Sequence, residues 1–302
     1  MAQIAVVGSL NMDLIVRSPR IPRPGETILG GTFHTAPGGK GANQAVAAAR
    51  LGGTVAMVGR VGSDAFGDQL LGSLAADGVD AAHVARDSAA TGIALITVDD
   101  AGQNSIVVAS GANAHLSPAD VDGAASAIAA AGVLLLQLES PPETALRAAE
   151  LARAHGATVV LNPAPARALP DALLKLVDVL VPNESETSLL TGLPVGDVAQ
   201  AEAAAEALLR LGVGAVILTL GARGALLAHA GGVEAVPPFP VTPLDTTAAG
   251  DAFLGALAVA LAEGRPLAEA ARWGNAAGAL ATTRLGAQPS LPTRQEIEDL
   301  VI

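Results

Sequence analysis

Cysteine is absent from this chain of 302 residues, which excludes disulfides, thiolate catalysis and cysteine-ligated metals. Tyrosine is also absent, and the other aromatics amount to four phenylalanines and one tryptophan. Any core must therefore be built mainly from Ala, Val and Leu. Basic charge is scarce: 17 Lys and Arg stand against 29 Asp and Glu, a formal net charge of −12. Nucleic acids and anionic membranes both call for a basic patch, so neither is an expected partner. An acidic protein that takes a nucleotide must use local groups such as amides, a lysine or a metal ion. Only Lys40 and Lys175 are lysines, so each is worth attention. Long apolar runs are missing as well. The richest, Val121 to Leu138, is interrupted by Asp122, Gly123, Ser126, Gly132 and Gln137, and reads as a helix followed by a strand rather than a membrane span. The residues from Met1 to Val7 enter a strand at once, without the basic and apolar regions of a signal peptide, so a cytoplasmic protein is expected. His34, His83, His115, His155 and His229 show no metal-ligand spacing.

What is present is an alternation. Ile4–Val7, Thr54–Val58, Val133–Leu138, Thr158–Leu161, Val179–Val181 and Ala215–Leu220 are short runs rich in Val, Ile and Leu, suited to strands buried on both faces. Between them lie helical patterns at Gly41–Leu51, Asp64–Asp77, Pro118–Ala131, Pro142–Ala154 and Val198–Leu211. Ser117 and Pro118 supply an N-cap and a first-turn proline, and Thr293 with Glu296 forms a capping box for the last helix. Such alternation implies a layered α/β domain with parallel strands and crossover helices, occupying the whole chain, 1–302. Gly92–Val98 and Asn104–Val108 break the rule and read as a hairpin. With possible strands at Asp13–Val16 and Thr32–Thr35, they suggest a small sheet inserted at about 13–36 and 91–110. Its first hairpin strand is apolar on both faces, with Ile93 and Leu95 on one and Ala94, Ile96 and Val98 on the other. It is expected to form a lid, with one face over a site and the other against a second subunit.

Parallel α/β sheets bind ligands beyond the carboxyl ends of their strands, and polar residues cluster at those ends here. The seven residues Asp245-Thr-Thr-Ala-Ala-Gly-Asp251 precede an apolar helix. Small residues leave the unpaired N–H groups of a helix terminus bare, which suits an anion such as phosphate. Asp251 beside such a site either caps the helix or takes a proton from a hydroxyl that attacks a phosphate. Gly38-Gly39-Lys40-Gly41-Ala42-Asn43-Gln44 opens another helix and lacks the Walker spacing. Gly38 and Gly39 permit close backbone approach, and Lys40 offers a point charge; a flexible turn is the plainer alternative. Asn183 with Glu186 either holds Mg²⁺ through water or stabilises a helix start.

Taken together, these motifs resemble one family. Gly8-Ser9-Leu10-Asn11-Met12-Asp13, the Gly-Gly-Lys-Gly-Ala-Asn-Gln-Ala segment at 38–45, Asn183 with Glu186, Thr219-Leu220-Gly221 and Asp245–Asp251 stand in the order and spacing of the ribokinase, or PfkB, carbohydrate kinases. Gln137–Pro141, Asn162–Ala166 and Gly286–Ser290 strengthen the likeness, which spans essentially the whole chain. The resemblance implies a three-layer α/β/α fold with a mostly parallel sheet and a β-sheet lid. It implies phosphorylation of the C5 hydroxyl of D-ribose by ATP, with Asp251 as general base and the amides of Ala248, Ala249 and Gly250 as anion hole. Asn11, Asp13, Gly38, Gly39, Lys40, Asn43 and Glu139 would hold the sugar. Asn183, Thr219, Gly221, Arg223, Gly224 and Asn275 would line the nucleotide site, and Glu186 would organise the hydration of Mg²⁺. An activating K⁺ would lie among Asp245, Thr247, Ala281, Arg284, Gly286 and Ser290, and the protein would be a homodimer joined through the lid. The alternatives are a kinase for deoxyribose, fructose or adenosine, and a catalytically silent sugar-binding protein on the same fold. Asn11 and Asp13 with the intact 38–43 segment favour ribose, and the retained Asp251, Lys40 and Glu186 argue against silence.

Overall fold

The computed structural model describes residues 3–301. In chain order the strands are β1 Gln3–Val7, β2 Asn11–Arg17, β3 Phe33–Gly38, β4 Thr54–Gly62, β5 Asp80–Asp87, β6 Gly92–Val98, β7 Asn104–Ala109, β8 Val133–Leu136, β9 Thr158–Leu161, β10 Val179–Leu180, β11 Ala215–Thr219, β12 Ala225–His229 and β13 Gly232–Val236. Nine of them form one sheet in the order β13-β12-β11-β10-β9-β8-β1-β4-β5. From β11 to β5 every pairing is parallel, and β12 and β13 add an antiparallel edge.

Alternation of side chains along each strand builds two cores. Ile4, Val6, Val133, Leu135 and Val160 face the helices Lys40–Arg50, Ala249–Ala262 and Leu267–Thr282. Ala5, Val7, Leu134, Leu136, Val159 and Leu161 face the helices Pro142–Ala154 and Val198–Leu209 on the other side. A sheet buried on both faces needs apolar residues at every position, so these strands read as continuous runs. The result is the expected α/β/α layering.

Close helix packing on the first side matters for the site. A Cβ added to Gly255 would stand 2.4 Å from the Cβ of Ala47. The lack of a side chain there lets the helix Ala249–Ala262 press against Lys40–Arg50. That contact brings the first turns of the two helices together.

The remaining strands form a small sheet in the order β3-β2-β6-β7, with β2 and β6 parallel and the outer pairs antiparallel. All of β7 is exposed, including Ile106, Val107 and Val108, and Phe33 and Leu95 are exposed with it. Two expectations change. The 118–131 pattern is divided at Ala124 into helices Pro118–Gly123 and Ala125–Ala130, because Ala124 leaves helical dihedrals. The pair β12–β13 and the edge strand β5 join the sheet beyond the strands anticipated from sequence.

Candidate active site

The loops at the carboxyl ends of the parallel strands meet in a cavity. Lys40, Asn162, Asn183, Glu186, Thr219 and the segment from Ala248 to Asp251 line it. Asp251 lies in the first turn of the helix Ala249–Ala262 and is 7% exposed. Its carboxylate does not cap that helix. Oδ2 accepts from Asn43 Nδ2 at 2.9 Å and Oδ1 accepts from Gln44 Nε2 at 3.0 Å. Both donors come from the first two turns of the neighbouring helix Lys40–Arg50.

Just before Asp251, Ala248 takes φ 58° and ψ 10°, and it is the one non-glycine with positive φ among the described residues. A left-handed alanine costs about 1–3 kcal/mol and persists only where its surroundings impose it. Here it turns the chain into the helix, so that Ala248, Ala249 and Gly250 line the cavity. First-turn amides have no partner inside their own helix, and the Ala249 amide donates outside it, to the Thr246 carbonyl at 3.3 Å.

Glu139, which follows β8, gathers the ends of β1 and the glycine segment. Its Oε2 accepts from Ser9 Oγ at 2.5 Å, from the Lys40 amide at 3.1 Å and from Asn11 Nδ2 at 3.4 Å. Asn11 Oδ1 accepts in turn from Asn113 Nδ2 at 2.8 Å. Gly39 has φ 90°, and a Cβ there would lie 2.6 Å from the Asn11 amide nitrogen. Asn43 Oδ1 is buried and has no partner among the described residues.

The electrostatics of the group are unusual. Burial, then the charges of Glu139 and Asp251, push the Asp13 carboxyl up to about 7. Burial likewise raises Asp251, against the opposing influence of Lys40, Asn43 and Gln44. For Lys40, burial would lower the ammonium, yet Asp251, Glu139 and Glu186 together raise it. Lys40 therefore keeps its charge, and that charge opposes the effect of burial on Asp251 and Glu186.

On the other wall, Asn183 and Glu186 cap the helix Glu184–Thr191 reciprocally. The Asn183 amide donates to Glu186 Oε2 at 2.8 Å, and the Glu186 amide donates to Asn183 Oδ1 at 2.8 Å. Burial raises Glu186, and its hydrogen bond from Asn183 and the Lys40 charge oppose that. Thr219 bridges to Asn183, and its amide donates to the Pro182 carbonyl at 2.9 Å. Gly221 and Gly224 both have positive φ, and a Cβ on Gly224 would stand 2.4 Å from the Val236 carbonyl. Arg223 is paired with Glu184 at 2.5 Å, and Asn275 Nδ2 donates to the carbonyls of Val236 and Pro237 at 3.0 Å each. The side chains of these two expected nucleotide-site residues are thus engaged by neighbours outside the cavity lining.

Beside the 248–250 segment, two loops are tied through Asp245. Its Oδ1 accepts from the Thr247 amide at 2.9 Å and hydroxyl at 2.6 Å, and its Oδ2 accepts from the Gly286 amide at 2.8 Å. Burial would raise this carboxyl, but those hydrogen bonds outweigh it and hold it low. The Leu244 and Asp245 amides both donate to the Thr282 carbonyl, at 2.7 and 3.1 Å. Ser290 is fully buried and donates to the Ala287 carbonyl at 2.7 Å. The carbonyl of Ala281 accepts from the Arg284 amide at 3.3 Å, and the Arg284 guanidinium is paired with Glu296.

Four participants were not assigned roles from sequence: Ser9, Gln44, Asn113 and Gln137. Gln44 stood inside a recognised segment, one residue from Asn43, so its signal was available. The pairings of Asn113 with Asn11 and of Gln137 with Gln44 span 102 and 93 residues, and spacing along the chain does not announce them.

Residues 1–294 match the pfkB family of carbohydrate kinases. A ribokinase from Haemophilus influenzae is 45% identical over 294 residues, 97% of this chain and 96% of the relative. A ribokinase from Bacillus subtilis is 42% identical over 302 residues, 100% of both chains. Among solved structures, an Arabidopsis thaliana ribokinase complexed with ribose and ATP is similar with a TM-score of 0.92 at 36% identity, covering 100% of this chain and 99% of that one.

Proposed function

This chain belongs to the pfkB family of carbohydrate kinases, and from that premise we propose that it transfers the γ-phosphoryl group of ATP to the C5 hydroxyl of D-ribose. The observation that carries the residue roles is the Asp251 carboxylate, held between Asn43 and Gln44 at the start of a helix whose first residues line the cavity. Asp251 takes the proton as the hydroxyl attacks. The amides of Ala248, Ala249 and Gly250 receive the charge that spreads over the transferring group.

The sugar lies among Asn11, Asp13, Gly38, Gly39, Lys40, Asn43 and Glu139. The free acceptor on Asn43 and the grouped carboxylates suit vicinal hydroxyls, because an analogue lacking one would leave a buried polar atom unpaired. ATP lies along Asn183, Thr219, Gly221, Arg223, Gly224 and Asn275. Phosphoryl transfer asks little covalent chemistry of a protein, so positioning and charge neutralisation carry the reaction.

Two ions complete the reading. The buried Glu186 carboxylate, which lines the cavity, fits a role in holding Mg²⁺ through its water shell. Asp245, Thr247, Ala281, Arg284, Gly286 and Ser290 fit a monovalent cation, K⁺, since the Asp245 hydrogen bonds draw a carboxylate and two carbonyl-bearing loops together. When bound, the two cations add positive charge beside the leaving phosphates and the anion hole.

The chain acts in this reading as one α/β domain whose four-stranded sheet is a lid over the sugar site, excluding water that competes as acceptor. The exposed Ile106, Val107, Val108 and Leu95 support pairing of two lids in a homodimer. Among the described residues no helix is long and apolar enough to cross a membrane, and use of ATP supports a cytoplasmic location.

The test is ADP release from ATP and Mg²⁺ with D-ribose, with and without K⁺, beside deoxyribose, fructose and adenosine. Ribose-dependent release that rises with K⁺ is expected. Turnover confined to another acceptor would move the specificity, and none with any acceptor would sink the kinase reading.

A further inference from the structure

Behind Asp251 lies a chain of two carboxamides. Gln44 is fully buried and donates from Nε2 to Asp251 Oδ1 at 3.0 Å. Its Oε1 accepts from Gln137 Nε2 at 2.6 Å. Gln137 is 1% exposed, and its own Oε1 is buried with no partner among the described residues. That oxygen occupies the slot left by Gly8, where an added Cβ would lie 2.0 Å from it.

We propose that Gln44 and Gln137 are positioning residues for phosphoryl transfer, an ordered relay whose direction is set by the Asp251 carboxylate and which in turn holds that carboxylate. The inference rests on the kinase reading above and deepens it.

The relay has a direction. Both amides could be reversed together and still hydrogen-bond to each other. The reversed pair would set Gln44 Oε1 against an Asp251 oxygen, which is favourable only when that oxygen carries a proton. It would also replace the orphaned Gln137 Oε1 with an N–H group. An unpaired buried N–H is no cheaper than an unpaired carbonyl, so the slot beside Gly8 does not itself impose the observed direction. The Asp251 charge does so, because a carboxylate accepts and cannot donate.

The relay therefore works against burial. Asp251 also faces Lys40 from its neighbouring helix, Glu139 after β8, Asp13 from β2 and Glu186 across the cavity. Of these four, only Lys40 favours the carboxylate. Asn43 and Gln44 add one donor to each oxygen, and Gln137 fixes which end of Gln44 is presented.

The test uses Gln44→Met and Gln137→Met, which keep volume and remove the amides. The Asp251 carboxyl is titrated by ¹³C NMR and assigned with Asp251→Asn, and the pH profile of kcat with ribose is recorded. In Gln44→Met the carboxyl titration is expected to rise by about one pH unit, and the acid limb of kcat with it. Gln137→Met should move both the same way by less, and the double variant should match Gln44→Met. Thermal unfolding identifies a variant that fails to fold, and the other single variant then carries the test. An unmoved titration in the folded variants overturns the relay. Because the NMR titration needs no turnover, absence of ribose phosphorylation in the unsubstituted protein overturns the kinase reading alone.

Discussion

Gly38 and Asp13 are diagonal neighbours across the β2–β3 pair, so close that a Cβ on the glycine would lie 2.5 Å from Asp13 Oδ2. The glycine leaves room for its neighbour's carboxylate rather than meeting a need of its own backbone conformation. Gly38→Ala should push the Asp13 side chain aside. The expected outcome is a KM for ribose raised about tenfold, with kcat less affected, the signature of lost uniform binding. Steady-state kinetics checks this, and an unchanged KM would mean that Asp13 does not hold the sugar.

Asp251→Asn keeps the shape of the side chain and removes its basicity. Turnover should fall by roughly 10²-fold or more, on general-base magnitudes. Ribose binding, read by calorimetry, should survive. Near-normal turnover would refute the role.

The buried Asp13 carboxyl makes ligand-free stability depend on pH. Its folded value is about 7 against an ordinary 3.8, so the folded protein binds this proton more tightly than the unfolded chain. Where the folded state binds more protons, stability falls as pH rises. The loss should run between pH 3.8 and about 7 and level off above it. Asp251 and Glu186, also raised mainly by burial, act in the same sense. Thermal unfolding of the ligand-free protein at pH 5 and pH 8 should show the higher Tm at pH 5, and Asp13→Asn should shrink the difference. A Tm difference undiminished in the variant would contradict the assignment.

Arg50 ties the last turn of the helix Lys40–Arg50 to the loop that ends in Ser290. It donates to the carbonyls of Gln288 and Leu291 at 2.6 and 3.2 Å and pairs with Asp77 at 2.7 Å. Arg50→Ala should destabilise the fold by about 1.5–3 kcal/mol, the usual worth of a hydrogen bond to a charged group. If the 281–290 segment holds a cation, half-activation by K⁺ should need more salt in this variant. Denaturant unfolding and a K⁺ titration of turnover measure the two effects separately.

The legible parts of the fold share a cause. β1, β8, β9 and β11 are buried on both faces, so their sequences carry unbroken apolar runs. β5, Asp-Ala-Ala-His-Val-Ala-Arg-Asp, is an edge strand with mixed exposure, and its pattern carries no such run. The β12–β13 hairpin did have a signal, the Gly231-Gly232 pair between two apolar stretches, though it lies outside the strand–helix alternation that organises the rest. At Ala124 a pattern continuous in sequence breaks because the backbone there leaves the helical region.

The site divides in the same way. Sequence alone determined the chemical inventory: no thiols, one lysine in a glycine-rich turn, an aspartate after a run of small residues, and polar groups after each buried strand. Those are local properties, set by residue type and spacing. Only the tertiary structure decided the partners. Asp251 could be a cap or a base in the sequence, and packing of Gly255 on Ala47 turns it toward Asn43 and Gln44, more than 200 residues earlier. Gln137 meets Gln44, and Asn113 meets Asn11, for the same reason. A carboxylate's strength depends on what surrounds it in space, and that surrounding exists only once the sheet has brought distant segments to one edge.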